Sequence, residues 1–115
     1  MLNGTRHKKI KIGRITMIIN KKTEQATLIL APEGRLDTVT APELETELEA
    51  SLACVKKLVL DFKDVTYVSS AGLRVILKAQ KAMKSAGSMT LTGVNSTVME
   101  VFEITGFTDI LDIEG

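Results

Sequence analysis

Apolar and polar positions follow two different periods along this chain, and the changes of period lay out its elements. Isoleucines at 15, 18 and 19 precede a polar turn, "NKKTEQ", after which "ATLILAPEG" gives a short apolar run punctuated by Pro32 and Gly34. Apolar runs bounded by turn residues predict a pair of strands. In "RLDTVTAPELETELEASLAC" the spacing lengthens: Leu44, Leu48 and Leu52 recur at i, i+4 and i+8, with Glu43, Glu45, Glu47 and Glu49 on the other faces. That is the pattern of an amphipathic helix. Thr40 is its expected N-cap, Pro42 lies in its first turn, and the early glutamates suit the helix dipole.

"KKLVLDF", Lys56 to Phe62, reads as a short central strand buried on both sides. After Gly72, the positions Leu73, Ile76, Leu77, Ala79 or Gln80, and Met83 mark a second helix that Gly87 closes. "SMTLTGV" reads as the next strand, "STVMEVFEITG" as a helix capped by Ser96 and ended by Gly106, and "DILDI" as a final edge strand or turn. The predicted order is β-β-α-β-α-β-α-β. Strands alternating with helices imply crossover connections and a mixed, mainly parallel sheet.

Composition narrows the setting. With 115 residues, 44% of them hydrophobic, the chain suits one domain with its own core. No apolar run approaches the roughly 18 residues of a membrane helix, and the basic N-terminus is not followed by a signal-peptide core, so a cytoplasmic protein without membrane insertion is expected. The net charge of +1 hides an asymmetry: residues 1–22 hold seven Lys or Arg and no acid, whereas residues 23–115 hold eight basic and fourteen acidic side chains, a net of −6. Residues 1–16 lack aromatic platforms and a sustained amphipathic pattern. They are expected to form a basic, disordered leader, with a single domain over 17–115 and no direct nucleic-acid partner. Cys54 has no second cysteine to pair with, and is expected in the core near the end of the first helix, beside Leu52 and Val55. One cysteine and one histidine make a zinc site improbable, and no metal or cofactor is expected.

The stretch "DVTYVSSAGLRVIL", Asp64 to Leu77, carries the candidate chemistry. It places Ser69 and Ser70 after a strand and before a helix, where βα units gather ligands and helix N-termini present unpaired N–H groups. Two readings are open: N-capping alone, or phosphorylation, which would add roughly −1.5 to −2 charges where the dipole tolerates them. The second would leave the helix folded and add charge to an already acidic domain, suited to releasing a partner. Nucleophilic catalysis needs a base, and the lone histidine is His7 in the leader. A Gly-x-Ser-x-Gly elbow, a phosphate loop and a dinucleotide fingerprint are all absent. Asp61 and Asp64 could form a magnesium or acid pair, or end a strand and make a turn.

Taken together, "GRLDTVTAPEL", "KKLVLDFKDVTYVSSAGLRVIL" and "MTLTGVNSTVMEVFEITGF" resemble the STAS domain family, and within it the bacterial anti-sigma factor antagonists, over about residues 17–113. The resemblance implies an α/β fold with a four- to five-stranded mixed sheet and helices packed on one face. It also implies partner switching. The unphosphorylated antagonist binds an anti-sigma factor serine kinase, phosphorylation by that kinase ends the binding, and a metal-dependent serine/threonine phosphatase restores it. Family members commonly carry Asp-Ser-Ser-Gly or Asp-Ser-Ala-Gly at this turn. Here Ser69 replaces the Asp, Ser70 keeps the first hydroxyl, and Ala71 stands where some members carry the modified serine. Ser70 is therefore the expected phosphorylation site and Ser69 the second choice. Asp37 either matches a position on the family's partner-binding face or is a turn aspartate; Thr38, Ser69, Ser70, Gly72 and Arg74 complete the expected partner-binding set. The departure at position 69 lends some support to an alternative, a non-phosphorylated STAS subunit of a transporter or signalling scaffold.

Overall fold

Burial alternates along two of the strands, 27–32 and 57–61, and the register between neighbours aligns buried positions into rows on one face of a sheet. The computed structural model describes residues 5–12 and 15–114, with side chains from residue 17 onward. Its elements are β1 (Thr5–Ile12), β2 (Ile15–Glu24), β3 (Thr27–Leu36), α1 (Ala41–Ser51), β4 (Lys57–Asp61), β5 (Val65–Val68), α2 (Ser70–Ala86), β6 (Ser88–Thr92), α3 (Ser96–Thr105), a 3-10 turn (Phe107–Asp109) and β7 (Asp112–Glu114). The predicted succession is present from β2 onward, with β5 added between β4 and α2. The segment expected as a leader carries β1, which pairs antiparallel with β2 from Thr5↔Lys22 to Ile12↔Ile15; its residues 1–4, 13 and 14 lie outside the described residues.

The sheet runs β1-β2-β3-β4-β6-β7, with β5 attached to β3. The first two pairings are antiparallel and the others parallel, as expected once helical crossovers replace hairpins. Leu28, Leu58 and Met89 form one cross-strand row and Leu30, Leu60 and Leu91 the next; all six are buried. Leu44 and Leu48 of α1 and Leu73, Ile76, Ala79 and Met83 of α2 join the same core. Between these rows Ile29 and Val59 are only half-buried. The central strand is thus fully buried on one face and partly on the other, because α1 and α2 cover one side of the sheet.

Several local expectations change. β3 does not stop at Pro32 and Gly34 but continues to Leu36. Pro32 sits where β3 pairs with β2, and Gly34, at φ +99°, marks a bulge at which the register to β5 shifts. The polar turn contracts to Gln25–Ala26, with Gln25 at φ +54°. Cys54 is exposed, not core: α1 ends at Ser51, the chain turns with Cys54 at φ +66°, and only Val55 re-enters the interior. α3 is capped by Asn95, whose side chain accepts the Val98 N–H at 2.8 Å, so Ser96 is its first residue. On α2, Val75 is buried and Leu77 only half-buried. Gly87 ends α2 with extended backbone and is required by close approach, since a Cβ there would lie 1.8 Å from the Lys56 carbonyl oxygen.

Two glutamates of α1 face inward. Glu43 Oε1 accepts the Met17 N–H at 2.8 Å, and Glu47 Oε2 lies 3.1 Å from Lys21 Nζ and 2.6 Å from Ser51 Oγ. Buried carboxylates require such partners. They tie the helix to β2 alongside the leucine stripe.

Candidate functional site

The site is built where two parallel strands end side by side. Leu36 at the end of β3 pairs with Val68 at the end of β5, and the Ser69 N–H extends the seam by donating to the Leu36 carbonyl at 2.9 Å. The next residue on each strand is a candidate: Asp37 on one, Ser69 on the other. Each chain then turns into a helix, so both helix N-termini open on the same end of the sheet, as in other βα units.

The two serines do different things. Ser69 is the N-cap of α2, with extended backbone (φ −93°, ψ 179°), and its Oγ accepts the Gly72 N–H at 3.4 Å. Its hydroxyl is half-buried and committed to the helix end. Ser70 is the first helical residue and is exposed. Its first-turn N–H and that of Ala71 have no acceptor within the helix, a consequence of helix geometry that leaves a positive dipole end beneath the hydroxyl.

Gly72 has a packing role. It is buried, and a Cβ there would meet the Leu36 carbonyl oxygen at 2.8 Å, Leu36 Cγ at 2.9 Å and Val68 Cγ1 at 3.0 Å. The missing side chain lets α2 begin directly against β3 and β5, which sets the Ser69–Ser70 step at the surface.

Across the seam, the Asp37 carboxylate organises the entry to α1. Its Oδ1 accepts the Val39 N–H at 3.0 Å and the Thr40 N–H at 3.2 Å, while its carbonyl accepts the Ala41 N–H at 2.8 Å. Thr40 holds the N-cap position, but its hydroxyl gives the helix no cap bond. It donates to the Arg35 carbonyl at 2.6 Å and accepts the Asp37 N–H at 2.9 Å. Partial burial works to raise the Asp37 pKa, but the hydrogen bonds from Thr40, Val39 and Arg35 outweigh it and hold the carboxyl below its ordinary value. The turn-aspartate reading thus has its geometry, and it leaves an ionised group at the same end of the sheet as Ser70.

Sequence reasoning missed two residues here. Arg35 stacks on Tyr67, its guanidinium carbon 4.5 Å from the ring centroid, and its Nε lies 3.5 Å from Asp37 Oδ2. Arg35 and Tyr67 are register partners of β3 and β5, a proximity that only the parallel pairing creates. Thr38, Ala71 and Arg74 line one groove between the first turns of α1 and α2, with Glu45 and Lys78 farther along it. Lys78 is held by Glu45 and Glu49. Val39, two residues after Asp37, is more than half exposed. Of the expected set, Asp37, Thr38, Ser69, Ser70 and Arg74 thus gather at one end of the molecule, and Gly72 lies beneath them.

Asp61 and Asp64 do not form a pair of this kind. Asp61 Oδ1 accepts the Lys63 N–H at 3.1 Å, closing the strand end, and the Asp64 carbonyl receives the Gly34 N–H at 2.8 Å. Among the described residues no helix is long and apolar enough to cross a membrane.

Comparison with known proteins places this geometry. The STAS domain model matches residues 18–114. BtrV of Bordetella bronchiseptica is 38% identical over 88 residues, covering 75% of this chain and 76% of its own. The anti-sigma-B factor antagonist of Listeria monocytogenes is 33% identical over 101 residues, covering 84% and 85%. Among solved structures, the anti-sigma factor antagonist SpoIIAA in its unphosphorylated form superposes with a TM-score of 0.73 at 17% identity, over 84% of this chain and 88% of that one. The Bacillus SpoIIAA in its phosphorylated form gives 0.66 at 16% identity, over 84% and 91%. The strand-end seam, the serine step and these matches lead to one assignment: the chain belongs to the STAS domain family, among the anti-sigma factor antagonists.

Proposed function

We propose that this protein is a phosphorylation-switched binding module of the cytoplasm, which holds an anti-sigma factor serine kinase while Ser70 is unmodified and releases it once Ser70 carries a phosphate. A metal-dependent serine/threonine phosphatase returns the protein to its binding form. The observation that carries this reading is the division of labour at the serine step: Ser69 is occupied as a cap, while Ser70 is exposed at the first position of α2. A kinase can reach the Ser70 hydroxyl without undoing the helix cap. The existence of SpoIIAA structures in unphosphorylated and phosphorylated forms on the same fold supports the two states.

The energetic logic follows from the surroundings. A phosphate at Ser70 adds roughly −1.5 to −2 charges beside a helix N-terminus that accommodates them, so the fold persists. The surface changes instead. In an interface, like-charge juxtaposition costs several kcal/mol, and about 1.4 kcal/mol already changes affinity tenfold. Asp37, Thr38, Ser69 and Arg74 share the face that the kinase would cover.

Phosphotransfer from the cognate kinase, mapped by fragment-ion mass spectrometry, tests the acceptor. Wild type and Ser69→Ala should each gain one phosphate on residue 70, and Ser70→Ala should gain none. A phosphate retained in Ser70→Ala would move the acceptor to Ser69. A protein left unmodified by its kinase, and by its own cells under several growth conditions, would favour the non-phosphorylated subunit of a transporter or scaffold.

A further inference from the structure

Arg74 stands one helical turn after Ser70, at i+4 on α2. It is exposed, and among the described residues it makes no ion pair or side-chain hydrogen bond. The other cations at this end are committed: Arg35 to Asp37 and the Tyr67 ring, and Lys78 to Glu45 and Glu49. In a helix, residues four apart are neighbours, and an anion placed N-terminal to a cation is the favourable order. A guanidinium also matches a phosphate with two parallel N–H donors, which an ammonium cannot.

We infer that Arg74 is the internal receptor of the Ser70 phosphate: free to meet an acidic group of the partner in the unmodified protein, and captured within α2 once Ser70 is phosphorylated. Phosphorylation would then act twice on the same surface, adding an anion and withdrawing the one uncommitted cation of the groove between Thr38, Ala71 and Arg74. This deepens the switch proposed above and rests on Ser70 being its acceptor. The charged groups that line the groove beside Arg74 are Glu45 from α1 and Lys78 from α2, and Asp37 follows Leu36 at the end of the neighbouring strand β3. The Glu45–Lys78 contact leaves Arg74 as the cation with nothing to surrender on turning to the phosphate.

The test uses full-length protein carrying phosphoserine at position 70, installed during translation so that no kinase is needed, and reads the phosphate by phosphorus NMR across its second ionisation near pH 6. Pairing with Arg74 favours the dianion, so Arg74→Gln should raise that pKa by about 0.15–0.4, given the strength of exposed i, i+4 pairs, and Arg74→Lys by less. Arg35→Gln and Lys78→Gln should leave it within error. An Arg74→Gln titration that overlays wild type would overturn the inference, as would a larger rise in Arg35→Gln. A second reading separates this from the switch itself. If the phosphate weakens binding to the kinase in wild type, the weakening factor should shrink at least twofold in Arg74→Gln. No weakening in wild type, with the NMR shift present, would instead remove the switch and leave the pairing.

Discussion

At the scale of single residues, the site depends on an absent side chain and on two adjacent hydroxyls in different settings, Ser69 bound as a helix cap and Ser70 exposed. Gly72 has no room for a methyl group against Leu36 and Val68. Overpacking of this kind typically costs about 1–3 kcal/mol. Gly72→Ala should therefore lower the unfolding free energy by that amount, read as a lower urea midpoint, and also weaken kinase binding, since α2 would have to lift from the β3–β5 seam. Ser69→Ala loses a cap bond that is already long, at 3.4 Å. We expect a loss near the low end of the usual range, about 0.5–1 kcal/mol, with phosphorylation of Ser70 intact. Denaturation curves of the two variants, run beside phosphotransfer assays, check both expectations.

The sequence carried much of this scale and missed a definable part. Ser69, Ser70 and Gly72 were legible because a serine pair and a glycine at a strand-to-helix step are local signals. Arg35 and Tyr67 were not, because their contact exists only through the parallel register of β3 with β5. Cys54 was misplaced for a related reason: composition says that cysteine is usually buried, whereas the left-handed turn after α1 carries it outward.

At the scale of elements, the helical period of α1 was readable from Leu44 and Leu48, but its inward glutamates were not, since a glutamate reads as solvent-facing until its partner is known. Lys21 and Glu47 join β2 to α1. Breaking a buried pair by removing one partner costs about 3–5 kcal/mol; Lys21 keeps 20% of its side chain in solvent, and we expect about 1–3 kcal/mol for Lys21→Met, measured by urea unfolding. The loop from β3 to α1 has its own pH dependence. Because the folded state holds the Asp37 carboxyl below its ordinary value of 3.8, its contribution to stability is present above the unfolded value and is lost as pH falls through the folded one. Asp37→Asn should flatten the acid limb of stability against pH below about pH 5.

At the scale of the whole molecule, strand order and the serine step form one device. β3 leaves β4 after Leu30 and pairs with β5 beyond Gly34, so two strands end together and present Asp37 and Ser69 as neighbours. The alternation of apolar runs and helical periods was enough to order the main elements. β5 escaped because its four residues follow β4 after only three intervening ones, too short a run to show a period of its own. The basic strand β1 belongs to the sheet and the whole chain is net +1, so the phosphate acts locally, adding roughly −1.5 to −2 charges at the end that already holds the Asp37 carboxylate. Raising the salt concentration should therefore narrow the affinity difference between the two phosphorylation states, as screening shortens the reach of the phosphate charge.

Isothermal titration of the cognate kinase with unmodified protein, with protein carrying phosphoserine at position 70, and with Ser70→Ala puts the switch to its most direct test. Tight binding by the unmodified and alanine forms, with affinity reduced at least tenfold by the phosphate, is the predicted result. Equal affinity for all three would contradict it.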